Sequence, residues 1–342
     1  MTAASLVGHG EQVAAFRAAF DAGAMPHAWL LSGPPGVGKG VFARAAAAWV
    51  LARSAPPHPL APTGDGFELS ADHPTAALLA AGSHLDFRLV ERVLNPNVKA
   101  SDQKLRKEIA VDQIVRRKDS KFEPPLSECL RATPALGSWR VVIIDAIDDM
   151  NRNAANALLK YLEEPPPGTL FLCVSHAPGR LLPTLRSRCR RLPFHALNDT
   201  DTAIVLRRAA PDLSADDLGA LVAIADGAPG RALRYADSGI AALSRALDEL
   251  GSAPPGAASA QALTLARSLA LKAATPRFEA FLDLAPAWLA KAARTRRGAG
   301  LTRTLAAWEA ANALSASAIG LALDPQAVAF QLATLVAESR EK

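Results

Sequence analysis

The stretch HAWLLSGPPGVGKGVFARAAAAWV, residues 27–50, decides the fold. A short apolar run from Ala28 to Ser32 precedes a glycine loop, and an alanine-rich segment without proline follows it. That order predicts a buried strand, a phosphate-binding turn and a helix from about Lys39 to Arg53. Gly33, Gly36 and Gly38 would let the backbone approach an anion closely, with N–H groups converging at the positive end of the helix. Lys39 would reach the outer phosphates of a nucleotide. The pattern G-x-x-x-x-G-K-[ST] is met at Gly33, Gly38 and Lys39, but the next residue is Gly40. The hydroxyl that would ligate Mg²⁺ is therefore missing.

The second informative stretch, RVVIIDAIDDM at 140–150, repeats the message. Four branched apolar residues ending in Asp145 suit a central parallel strand buried on both faces. A hydrolysing protein of this kind places an acidic residue directly after its metal-associated aspartate, and here Ala146 follows Asp145. Asp148 and Asp149 come too late in the chain for that task. Two catalytic parts are missing, so hydrolysis is expected to be absent or very slow.

Further outward, Asn151 or Asn153 can cap a helix that Pro165–Pro167 and Gly168 terminate. TLFLCVSH (169–176) reads as the next buried strand, and DFRLVERV (86–93) as another. Residues 54–85 hold five prolines and three glycines and read as a long surface loop or a small insertion. Their histidines are widely spaced and lack cysteine partners, so no metal site is expected. EIAVDQIVRRKD reads as a strand end turning into a helix near Val111. Strand–helix alternation to about residue 196 predicts a doubly wound parallel sheet with helices on both faces. Beyond that point no strand-like run remains, and helical units meet near 238, with a break at GSAPPGAAS (251–259).

Two arginines stand out. Arg188 sits where a short helix should end, with Arg186, Arg190 and Arg191 beside it. Such a cluster serves either as a solvated basic turn or as the source of a guanidinium for a neighbour's phosphoryl-transfer site, and local sequence leaves both open. In GAPGRAL (227–233), Arg231 is open to the same pair of readings, a phosphate contact or a helix-start arginine in water.

Bulk properties set the frame. The chain has 342 residues, 50% apolar and only 5% aromatic, with a net charge of +5 that permits nucleic-acid contact without arguing for it. Three cysteines without metal-ligand spacing point away from a disulfide framework or zinc site, and a reducing cytoplasm fits. The N-terminal residues lack the pattern of a signal peptide, and no membrane span is expected. The interval 99–121 is rich in Lys and Arg, but interleaved acids favour a solvated face over a nucleic-acid track.

Together the motifs resemble a family: the delta-prime subunits of bacterial DNA polymerase III clamp loaders, within the AAA+ superfamily. The resemblance rests on HAWLLSGPPGVGKG, RVVIIDAIDDMNRNAANALLKYLEEPP, RLLPTLRSRC, GAPGRAL and the late LDPQAVAFQL (323–332). It implies an AAA+ parallel-sheet core over 1–196, a small helical lid over 197–237 and an all-helical collar over 238–342. It implies a non-hydrolysing stator in a ring with gamma or tau and delta subunits, which opens the sliding clamp and places it on primed DNA. Arg188 would be the arginine finger given in trans to the adjacent gamma site. Gly33, Gly36, Gly38, Lys39, Asp145 and Arg231 would form a vestigial nucleotide site, open to ATP or ADP held without turnover but requiring neither. Many clamp-loader subunits carry a four-cysteine zinc module where 54–85 falls; this segment has no cysteine, so no zinc is expected. Two rivals remain: a working gamma/tau-like AAA+ ATPase with an atypical metal site, and a direct nucleic-acid binder using 99–121.

Overall fold

The computed structural model describes residues 6–94, 106–116 and 124–340. The chain forms two compact units, Met1–Ala196 and Leu197–Lys342.

The first unit is built on five strands: β1 (Ala28–Ser32), β2 (Phe87–Glu91), β3 (Arg140–Asp145), β4 (Thr169–Ser175) and β5 (Arg190–Pro193). They pair in the order β2-β3-β4-β1-β5, and every pairing is parallel. Each residue of β1 and β4 is buried, as continuous apolar runs covered on both faces should be. The helices are α1 (Gly10–Asp21), α2 (Lys39–Ser54), α3 (Pro74–Ala80), α4 (Leu126–Cys129), α5 (Arg152–Glu163) and α6 (Pro183–Arg188). On one face of the sheet Leu30, Val142, Ile144, Phe171 and Cys173 pack with Leu158 and Leu162 of α5 and Leu185 of α6. On the other, an aromatic cluster joins α1 and α2 to the sheet: Phe16 meets Trp29 at 5.3 Å and Phe42 at 5.8 Å, and Phe42 meets Phe194 at 5.0 Å. Rings this buried contribute about 1.5–3 kcal/mol each through lost water contact.

Register brings the site together. Ser32 lies opposite Ser175, Val174 opposite Asp145, and Asp145 opposite Glu91. The carboxyl ends of β1, β4, β3 and β2 therefore form one rim, where ligands bind in open α/β sheets.

The segment 54–85 is not a bare surface loop. It carries α3, capped by His73, whose Nδ1 accepts from Thr75 N at 3.1 Å. It also buries Phe67 against Phe16, Phe42 and Trp49. The proline and glycine content hid both features, because Pro74 opens the helix rather than breaking it. Near Val111 the chain makes only a 3₁₀ turn, Val111–Gln113, after a single bridge between Ile109 and Met150. Of the basic interval 99–121, residues 99–105 and 117–121 lie outside the described residues. In the described part, Arg106 pairs with Asp112 at 3.1 Å and Arg116 with Glu128 at 2.9 Å.

The second unit is helical throughout its described residues: α7 (Asp199–Ala209), α8 (Ala215–Ala225), α9 (Pro229–Ala232), α10 (Ile240–Ser252), α11 (Pro255–Leu269), α12 (Thr275–Thr295), α13 (Gly298–Ala318) and α14 (Pro325–Glu338). Side-chain caps start three of them, from Asn198, Ser214 and Asp324. The expected break near 251–259 is the turn between α10 and α11. One cluster of buried side chains runs from Leu206 to Val336. No described helix is long and apolar enough to cross a membrane.

Candidate functional site

The glycine loop joins β1 to α2 at the centre of the rim. Gly36 and Gly38 have φ of +83° and +106°, which side chains rarely adopt. At Gly33 a Cβ would strike the carbonyl of Phe194, so the loop backbone lies tight against the chain after β5. His9 clamps the other side: its Nε2 donates to Val37 O at 2.7 Å, and its ring meets Phe194 edge-on at 4.9 Å.

Lys39 opens α2 and is 2% exposed. Its Nζ donates to Gly33 O at 2.6 Å and Pro34 O at 2.5 Å, curling back over the loop. Burial pushes its pKa down to about 8, with Asp148 and Asp145 opposing the shift. Phosphate oxygens arriving in the loop would take over the donors that these two carbonyls now hold.

One turn further along α2 lies a residue that the sequence reading overlooked. Arg44 Nη1 donates to Gly40 O and to Asp145 Oδ2, each at 3.2 Å, and Arg44 Nη2 is 3.6 Å from Glu91 Oε2. A Cβ on residue 40 would lie 2.8 Å from Asp145 Oδ2 and 2.9 Å from Arg44 Nη1. The ion pair thus fills the space that a side chain at 40 would need. The signal for it was the spacing, since positions 40 and 44 share a helix face.

These residues do not fit Mg²⁺. Gly40 offers no hydroxyl, and the carboxylate of Asp145 already carries a guanidinium. Ala146 is buried and has no carboxylate. Asp148 accepts from Ser175 Oγ at 2.9 Å, His176 N at 2.6 Å and Ala177 N at 3.2 Å. Asp149 pairs with Arg92 at 3.0 Å. Both later acids are thus committed to holding loops. His176, directly after β4, is a second residue that the sequence reading missed. Desolvation and then Lys39 hold its ring below the usual histidine range, against the pull of Asp148, Asp145 and Asp149.

The arginine cluster is divided among different partners. Arg190 stacks over the Trp29 ring at 4.9 Å, Arg191 Nε donates to Ser32 Oγ at 3.1 Å, and Arg186 reaches Pro178 O at 3.5 Å. Arg188 ends α6, with Nη1 donating to Thr184 O at 3.0 Å and Nη2 lying 2.7 Å from Glu163 Oε1. Its side chain is 33% exposed. The structure therefore gathers Gly33, Gly36, Gly38, Lys39 and Asp145 at the rim and holds Arg188 at the α5–α6 edge.

Arg231 belongs to the second unit. It opens onto a cavity of about 780 Å³ that is also lined by Arg234, Tyr235, Asp283 and Arg294. Asp283 Oδ2 accepts from Tyr235 at 2.8 Å and lies 3.9 Å from Arg231 and 3.7 Å from Arg234. Burial, then the bond to Asp283, pushes the Tyr235 phenol up to about 12. Among the described residues no group of three or more His, Cys, Asp or Glu side chains is arranged to hold a metal.

A family model described as DNA polymerase III, delta subunit, matches residues 8–198. The DNA polymerase III subunit delta' of Pseudomonas aeruginosa is 36% identical over 214 residues, which cover 63% of this chain and 57% of that relative. The subunit delta' of Escherichia coli K12 is 30% identical over 216 residues, covering 63% and 56%. The subunit gamma/tau of Mycobacterium tuberculosis is 30% identical over 209 residues, covering 60% of this chain and 30% of the relative. The aligned part thus spans little more than half the length of the delta' relatives. A solved DNA polymerase III gamma subunit-related protein of Thermotoga maritima aligns with 96% of this chain and 100% of its own, with a TM-score of 0.46 and 13% identity.

Proposed function

The chain belongs to the delta-prime family of DNA polymerase III clamp-loader subunits, and from that premise we propose that it is a stator without ATP turnover of its own. The observation that carries the reading is Arg44 seated on Asp145 in the space beside Gly40. Position 40 lacks the hydroxyl that would ligate a metal, Arg44 occupies the Asp145 carboxylate, and position 146 has no acid to polarise the attacking water.

Its contribution to catalysis is Arg188, given to the ATP site of a neighbouring gamma or tau subunit. A guanidinium supplied in trans neutralises charge that builds on the transferring phosphoryl group, an effect worth roughly 10³–10⁵ in rate. Arg188 suits that task because it ends a short helix, is partly exposed and already binds an oxyanion, the Glu163 carboxylate. Residues 197–237 would serve as a lid and 238–342 as a collar joined to delta and gamma or tau. Exposed Ile319 and Leu321, 65% and 70% accessible, suit such a subunit contact. The assembly would act on the sliding clamp and primed DNA, with this chain touching the clamp only indirectly. The loop could retain ATP or ADP without turnover, and no zinc is involved.

The intact Gly33–Lys39 loop and the gamma/tau relative favour a second reading, that of a working motor. Gly40, Ala146 and the Arg44–Asp145 pair oppose it. Steady-state ATP turnover by the purified chain separates the two: the stator reading expects none above background, whereas a rate typical of a motor would establish the rival.

A further inference from the structure

Arg44 places a guanidinium at this rim, against the Asp145 carboxylate. Its guanidinium bridges Gly40 O and Asp145 Oδ2, with Glu91 beyond, and its side chain is 28% exposed. A divalent ion there would need oxygen ligands. Residue 40 supplies no side-chain oxygen, and both Gly40 O and Asp145 Oδ2 already accept from Arg44. An incoming metal ion would also meet like-charge repulsion from the guanidinium. The phosphate cradle itself is intact, with glycines at positive φ and Lys39 donating to two carbonyls that phosphate oxygens can displace.

We infer that Arg44 stands in for the divalent metal and that the loop takes a di- or triphosphate in its metal-free form. The inference rests on the reading of this loop as a non-hydrolysing site. Arginine suits the role because its planar fork pairs with phosphate oxygens as readily as with a carboxylate. An ordinary phosphate-loop site behaves in the opposite way, since there the metal bridges nucleotide and protein.

The test is equilibrium dialysis of radiolabelled ATP and ADP against the purified full chain, in excess EDTA and in Mg²⁺. Binding in EDTA is expected to be at least as tight as in Mg²⁺, because Mg²⁺ sequesters the free anion. Arg44→Ala should weaken binding in EDTA by roughly tenfold, the scale of one lost charge-assisted contact, while Arg44→Lys loses less. The double variant Gly40→Thr with Arg44→Ala should come to bind more tightly in Mg²⁺ than in EDTA; circular dichroism checks that it folds. The inference is overturned if the wild-type chain binds only with Mg²⁺, if it binds in neither buffer, or if Arg44→Ala binds as well as wild type. Arg188 takes no part in this measurement, so failure here leaves the stator reading standing, and loss of the finger would leave this inference standing.

Discussion

Arg188 and Glu163 close on each other across the α5–α6 edge, with Nη2 2.7 Å from Oε1. Both side chains are substantially exposed, at 33% and 47%, and such pairs contribute about 0–1 kcal/mol to stability. The pair therefore reads as a resting position for Arg188 rather than a structural tie. Glu163→Gln should shift the unfolding free energy by no more than about 1 kcal/mol in urea titration. A loss of several kcal/mol would mean that the pair holds the fold together and that Arg188 is not free to serve a neighbour.

Gly40→Thr alone should destabilise the chain without creating an ATPase. Its Cβ would crowd Asp145 Oδ2 and Arg44 Nη1, forcing that ion pair apart. Overpacking of this kind costs about 1–3 kcal/mol, measurable by chemical denaturation. Turnover stays absent because Ala146 still lacks a carboxylate, so brisk ATP hydrolysis by this variant would show that the β3 rim has been misread.

Acid should loosen the segment around α3. Burial, then the neighbouring His58, holds His73 below the usual histidine range. The folded state thus favours the neutral ring, whose Nδ1 caps α3 by accepting from Thr75 N. The unfolded chain binds the proton more readily, so this stabilisation is complete above the unfolded pKa and is lost as pH falls through and below it. Urea midpoints measured from pH 7.5 down to pH 5 should decline. His73→Asn keeps a capping oxygen and removes the titration, so its profile should be flatter over that range. An equal decline in the variant would assign the acid sensitivity to other groups.

Much of the core was legible because its signals are local. The strand at 28–32 and the helix from Lys39 follow from an apolar run, a glycine loop and an alanine segment that agree with one another. Asn151 caps α5 through Ala154 N, as its position before an apolar-periodic run indicates. The ends of α6 and β4 were readable for the same reason. What escaped the reading depends on pairing across the fold. Arg44 is an ordinary helix arginine until β3 brings Asp145 beside it, 101 positions away in sequence. His9 becomes a clamp on the loop only once α1 packs near it, 28 positions from Val37. Glu163 sits in a motif that could be quoted, but its partner Arg188 is set by how α5 and α6 meet. In 54–85, turn residues masked a short helix whose cap is a histidine, an unusual capping residue.

The central claim is that this chain is catalytically silent alone and completes another subunit's ATP site through Arg188. The most direct measurement is DNA-stimulated ATP turnover by the reconstituted clamp-loader complex carrying either the wild-type chain or Arg188→Ala, with assembly checked by gel filtration. The account predicts an intact complex with strongly reduced turnover, the ATP site that Arg188 serves losing roughly 10³–10⁵ in rate. An intact Arg188→Ala complex that hydrolyses ATP at the wild-type rate would contradict it.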